Sequence, residues 1–446
     1  MKILPIVLAL CLAIACVAEN PALVAVIEEP IINKVRDKYF ESALGALGTL
    51  TMPDFEEGAI TATNIRVQIS NDSPQNLVVG FDNESNSIKA EIKNTNIKVQ
   101  VDYKYKAGLV TVNGDADVQG PIDSVALSLL MDKMEDGEFI IPQIAVPDFD
   151  LEMDNSKFDL KLTCKGCIKA VESLIATFMK GTLLNQVKDQ VKEQVPTMAN
   201  EIGNGILASS YPRTFPLLED IRIVTALTDA INVADGHLEI PLDGTVYTEE
   251  KGIVRPGPTP DMPRYNPESP GEAQMFFSSY LAQTLSHTLN TLNKLVIKTR
   301  FLLFTFVTTI DPSKGKTAIS FDNNAIVATI YPKIVTKYLK LGVELGTVVK
   351  VSLKIKNGDS QNLLSVVPKI KKLNLNSFKL IVLGIPINLS LFKFLITPFV
   401  RLFLNFIVLP TIEIPKSDLL PLTVTDSLLS FNKQYAEFGI SFDFEE

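Results

Sequence analysis

The 446-residue chain has no tryptophan, only two histidines and only four cysteines. Each scarcity excludes something. With His237 and His287 far apart and no nucleophile elbow, nucleophilic hydrolysis has no machinery and zinc has no ligand spacing. No catalytic residue, metal or cofactor is therefore expected, and the chain reads as a non-enzyme. Four cysteines cannot staple a fold of this length, so the core must rest on apolar burial. Cys164-Lys165-Gly166-Cys167 has a dithiol spacing, but it lacks an intervening proline and a βαβ context, which leaves a structural pair or free thiols. Long apolar runs are also scarce. The richest stretch, residues 380–409, is broken by Pro386, Lys393, Pro398, Arg401 and Asn405 before it reaches the ~20 residues of a spanning helix. It reads as a buried helix from about Leu391 to Leu409 on a curved sheet, with membrane contact as the alternative.

Basic residues are scarce in the first half. Residues 1–250 hold 20 Lys and Arg against 37 Asp and Glu, whereas residues 251–446 hold 22 against 14. An acidic first half argues against nucleic acid as a partner.

Among the features that are present, the first is an apolar run, Ile3 to Val17, between Met1-Lys2 and Ala18-Glu19. This is the pattern of a secretory signal peptide over residues 1–18, and it predicts an extracellular or secretory-lumen protein. A lipoprotein signal ending at Cys16 and a buried N-terminal helix are the alternatives.

Val24, Ile27, Ile31, Val35 and Tyr39, continued by Ala43, Leu44 and Leu47, predict a helix between Pro21 and Gly48. Period-two alternation follows at 65–69, 97–105, 149–153 and 158–162, as in long antiparallel strands with one buried face. Ile168, Val171, Ile175, Phe178 and Met179 return to helical spacing. Leu184 to Val195 extend it to a stop at Pro196, followed by a short helix near 198–207. Six prolines then fall between Lys251 and Glu272, predicting an extended, semi-rigid linker over 251–271. Beyond it the order repeats. A helix through Met275, Phe276, Tyr280, Leu281, Leu285, Leu289 and Leu292 leads to strands, a second apolar helix and the terminal alternating strand 438–444. The units are thus 19–250 and 272–446, each an α+β arrangement of helix and antiparallel sheet.

A twisted sheet wrapped around long helices leaves a narrow apolar slot, and each buried CH₂ of an acyl chain contributes about 0.8 kcal/mol. The same stripes also describe filled cores, and taken alone they favour them.

Asn20-Pro21-Ala22-Leu23-Val24, Met52-Pro53-Asp54, the Leu162-Thr163-Cys164 junction, Asn185-Gln186-Val187, the proline segment and Gly439 occur in an order that spans residues 20–446. In this the chain resembles the family of bactericidal/permeability-increasing protein, lipopolysaccharide-binding protein and cholesteryl ester transfer protein. The resemblance implies two tandem tubular half-barrels joined by a central sheet in a boomerang, each holding a phospholipid-like ligand or another acyl-chain lipid. Val24, Ile27, Ile31 and Val35 would line the first pocket with Ile168, Val171, Ile175 and Phe178. Phe276, Tyr280, Leu281 and Leu285 would line the second with part of the 391–409 helix.

Two departures stand out. The family's strand-to-helix disulfide has no helix cysteine here, so it is either absent or replaced by a Cys164–Cys167 link. Residues 51–150 hold 7 basic and 17 acidic residues, which disfavours capture of bacterial-envelope lipopolysaccharide. A lipid-binding or lipid-transfer protein leads. An innate-immune lipopolysaccharide binder and an extracellular structural protein with filled barrels follow. Asn71, Asn83 and Asn388 open N-glycosylation sequons.

Overall fold

The computed structural model describes residues 21–444 except 48–49, 72, 165–166, 219, 293–294, 302–303, 337–340, 358–361, 384, 404–411 and 416–421. The expected signal peptide and the end of the expected 391–409 helix lie outside the described residues. Antiparallel sheets dominate, with one long helix set against a half-barrel.

The first nine-stranded sheet is built on the hairpin Ser87–Ala107 and Val110–Asp136, strands of 21 and 27 residues. Straight, they would reach roughly 70 and 90 Å. A register shift in the neighbouring strand Ile60–Ser70, with Asn64 at φ 52°, helps bend the sheet. A second nine-stranded sheet holds the hairpin Gly342–Asn357 and Asn362–Val382.

Between them lies a six-stranded sheet that both halves of the chain share. Strand Leu23–Glu28 pairs on one side with His237–Leu242 and on the other with Ala273–Ser278, which pairs in turn with Tyr435–Phe444. This corrects the expected first helix: Val24 and Ile27 are strand residues, and helix α1 starts at Glu29 and runs to Leu47. The expected helix at 275–292 likewise begins as strand, and α4 covers only Ser279–Thr291 after Ser278 accepts the Tyr280 N–H. Leu23–Glu28 is buried on both faces, and Ala273–Ser278 alternates only between buried and half-buried residues. Without a solvated side there is no alternation to read.

The long helix begins as α2 (Lys169–Phe178), passes through a π turn over Met179–Leu183, and continues as α3 (Leu184–Ser210), roughly 60 Å in all. Pro196 does not stop it. The Asn200 and Asn204 amides bond the backbone of Val146 and Ile144, while Leu207 is buried in the core, so tertiary contacts outweigh the donor that proline lacks. A final helix, α5, covers Lys393–Phe403.

The proline segment is docked, not free. Its Met262 and Tyr265 pack on Val24, Val26 and Phe276, and Tyr265 stacks on His237 with ring centres 3.9 Å apart. Asn266 donates to Glu437 (2.8 Å), and Gln274 donates to Glu28 (2.8 Å). One face of the shared sheet thus meets the main core, and the segment covers part of the other.

Candidate functional site

The predicted lining residues separate into different clusters. Val171, Ile175 and Phe178 pack with Met179, Leu183 and Val187 against the first nine-stranded sheet. Ile175 is 0% exposed, so no water-sized void touches it, and this end of the half-barrel is filled with protein. Ile168, expected beside them, caps α2 from outside and is 67% exposed. Ile27, Ile31 and Val35 belong instead to the core beneath the shared sheet. Val24 points to the opposite face, toward Phe276.

The second set also splits. Phe276 and Tyr280 are fully buried, Leu281 and Leu285 join the core beneath the shared sheet, and Ile396 and Val400 of α5 pack on the second nine-stranded sheet. The 391–409 segment is therefore not one buried helix: it starts in a 3-10 turn, Ser390–Phe392, and its early residues face outward.

What the structure does assemble beneath the shared sheet is a two-part apolar seam, one part around α1 and the other around α4. Ile32 and Val35 of α1, Phe81 of strand Leu77–Asp82, Leu281 and Leu285 of α4, and Phe442 of the terminal strand all pack on the buried core yet stay partly open. They come from four distant stretches, so no local motif marks them. Only the short alternation of Val79 and Phe81 could have pointed to the first wall. The seam is held at one side by Lys34, which donates to Glu272 (2.8 Å) and to the Phe442 carbonyl (2.8 Å).

A cavity of about 190 Å³ nearby is lined by Phe139, Ile140, Ile253, Glu138, Asp243 and Arg255, among others. It is smaller than the ~300–1,000 Å³ of most ligand pockets. Asp243 is fully buried there; burial pushes its carboxyl up to about 6, against the opposing pull of Thr245 and the Arg255 guanidinium 2.7 Å away.

Cys164 and Cys167 are joined as a disulfide between strand Asp159–Cys164 and α2. The Asn71 amide is tied to the Lys93 carbonyl and Thr95, whereas Asn83 lies in an exposed turn and Asn388 ends an exposed strand. Among the described residues no His, Cys, Asp and Glu cluster could hold a metal, and no helix is long and apolar enough to cross a membrane.

The arrangement of sheets can be compared over the whole chain. A crystal structure of lipopolysaccharide binding protein aligns over 96% of this chain and 100% of its own, with a TM-score of 0.53 and 14% sequence identity. This chain shares that protein's fold. At this identity the likeness extends to the fold alone. The crystal structure of Epiphyas postvittana Takeout 1 aligns over 40% of this chain and 89% of its own, at 12% identity and a TM-score of 0.23, too low to support an argument. No family model and no curated protein sequence matches the chain. The tubular fold accounts for the half-barrel and its long helix.

Proposed function

We propose that this protein is a secreted, non-catalytic lipid carrier that holds phospholipid-like acyl chains along the seam beside the shared sheet. The observation that carries the reading is the seam itself: apolar side chains that the fold gathers but does not close over. Its walls come from α1 on one side and α4 on the other, which suits two pockets, one in each of two tandem barrels set in a boomerang. The fold shared with lipopolysaccharide binding protein supports lipid as the cargo class. The excess of acid in residues 51–150, 7 basic against 17 acidic, opposes polyanionic lipopolysaccharide and favours lipids with smaller headgroups.

Native mass spectrometry of purified protein, followed by solvent extraction, is expected to release bound lipid, and delipidated protein is expected to take up a fluorescent phospholipid. Protein that is empty as purified and refuses the probe would overturn the proposal. Salt-sensitive binding of lipopolysaccharide, with no uptake of phospholipid, would instead support the envelope-lipid reading.

A further inference from the structure

The end of the second nine-stranded sheet exposes apolar side chains to a degree that a solvated surface does not explain. Strand Ile385–Asn388 folds back on Asn362–Val382, placing Ile387 beside Leu380 and Ile385 beside Val382 on one face, with Leu383 at the bend. Next in the chain, Leu391, Phe394 and Leu395 follow i, i+3, i+4 spacing on one side of the 3-10 turn and α5. Leu383, Ile385, Ile387, Leu391, Phe394 and Leu395 are between 46% and 88% exposed. α5 is anchored from behind by Ile396 and Val400 and by Arg401, which donates to the Ile370 carbonyl at 3.0 and 2.8 Å. The helix therefore presents its apolar outer side while fixed on the sheet, the reverse of an ordinary surface helix.

Charge identifies the occupant. Residues 360–412 contain Lys369, Lys371, Lys372, Lys379, Lys393 and Arg401, and not one Asp or Glu. A cleft of about 480 Å³, lined by Asn388, Ser390, Leu391 and Lys393, opens where hairpin and helix meet. Lys379 is engaged by Glu344 (2.9 Å), but Lys393 borders the cleft, and apolar side chains beside such a cation suit an anionic bilayer: lysine meets headgroup phosphates while leucine and phenylalanine enter the acyl boundary. A second copy of the chain would bring two faces of the same charge together.

We propose that the face formed by Leu383, Ile385, Ile387, Leu391, Phe394 and Leu395 docks on, and partly enters, the surface of an anionic lipid membrane. This goes beyond lipid carriage and does not depend on it.

The absence of tryptophan makes the test direct, since a single Phe394→Trp variant reports this face without background. Vesicles of phosphatidylcholine with one-quarter phosphatidylglycerol are expected to blue-shift its emission, and brominated acyl chains to quench it. Pure phosphatidylcholine or high salt weakens both effects. Leu109→Trp, at an exposed hairpin tip in the acidic half, is expected to stay in water. Adding Leu391→Asp to the reporter is expected to reduce vesicle partitioning at least about tenfold.

An unchanged Phe394→Trp spectrum, or equal quenching at both positions, would overturn the proposal. So would a glycan on Asn388 of the native protein, or a concentration-dependent blue shift without vesicles, which would assign the face to self-association. Lipid recovered by extraction from the protein interior reads the carrier proposal separately, so either proposal can fail alone.

Discussion

Asp243 shows how one buried carboxylate can set a pH response. It sits between the Thr245 hydroxyl and Arg255, shares its cavity with Glu138, and its charge adds to the burial that raises the Tyr280 phenol. Desolvation raises its carboxyl from 3.8 to about 6 in the folded protein. Between those values the folded state binds more protons than the unfolded one, so this residue's contribution to stability falls as pH rises from about 4 to about 6, by on the order of 3 kcal/mol. Asp243→Asn is expected to remove that slope, whereas Arg255→Gln moves its upper end to higher pH. Urea melts of the wild type and both variants at pH 4, 5, 6 and 7 check this. If the wild type and Asp243→Asn run parallel across the range, the assignment is wrong. Nothing in the sequence singled out this aspartate among 51 acidic residues, because its burial is decided by distant segments. Gly439, by contrast, stands out in the sequence as a glycine inside the aromatic terminal strand, and the structure supplies a reason. A Cβ there would meet the Ser269 Oγ at 2.5 Å where the proline segment crosses the strand, and a Cβ on Gly271 would meet Ile440 N at 2.2 Å.

At the scale of elements, legibility followed solvent. Strand Ser87–Ala107 alternates between a wet and a dry face and is legible over 97–105, whereas its partner Val110–Asp136 has a long half-buried middle that blurs the alternation, and no strand was expected over it. Leu23–Glu28 is dry on both faces, and its unbroken apolar run resembled the start of a helix. The helix stripes were recognised, but spacing cannot say whether a stripe faces a filled core or an open seam. A pair of substitutions separates the two. Ile175→Phe, in the packed end of the half-barrel, is expected to cost roughly 1–3 kcal/mol through overpacking and to leave lipid uptake unchanged. Val35→Phe, on the partly open wall, is expected to lower uptake with little change in stability. Chemical denaturation and phospholipid uptake measured on both variants decide the matter. Loss of uptake in Ile175→Phe, or its retention in Val35→Phe, would place the lipid elsewhere.

For the molecule as a whole, the proline segment reads from sequence as the link between two units, yet the structure gives it a smaller role. The halves are interleaved: strand Leu23–Glu28 from the first is bonded along its length to Ala273–Ser278 from the second. Leu23, Val24, Val26 and Phe276 at this junction are at most 1% exposed. Burying four such side chains contributes on the order of 10 kcal/mol at most, before the ladder's hydrogen bonds are considered. The segment adds the Tyr265 and Asn266 contacts on the outer face of the same sheet. Continuity of the chain should therefore be dispensable once folding is complete. A site-specific protease sequence inserted after Gly257, between two exposed prolines, would allow the segment to be cut in the folded protein. The nicked protein is expected to elute from gel filtration at the uncut volume and to separate into two pieces only in denaturant, while the halves expressed separately are expected to be insoluble because each exposes one dry edge of the shared sheet. Elution of two folded pieces under native conditions would show instead that the proline segment holds the molecule together.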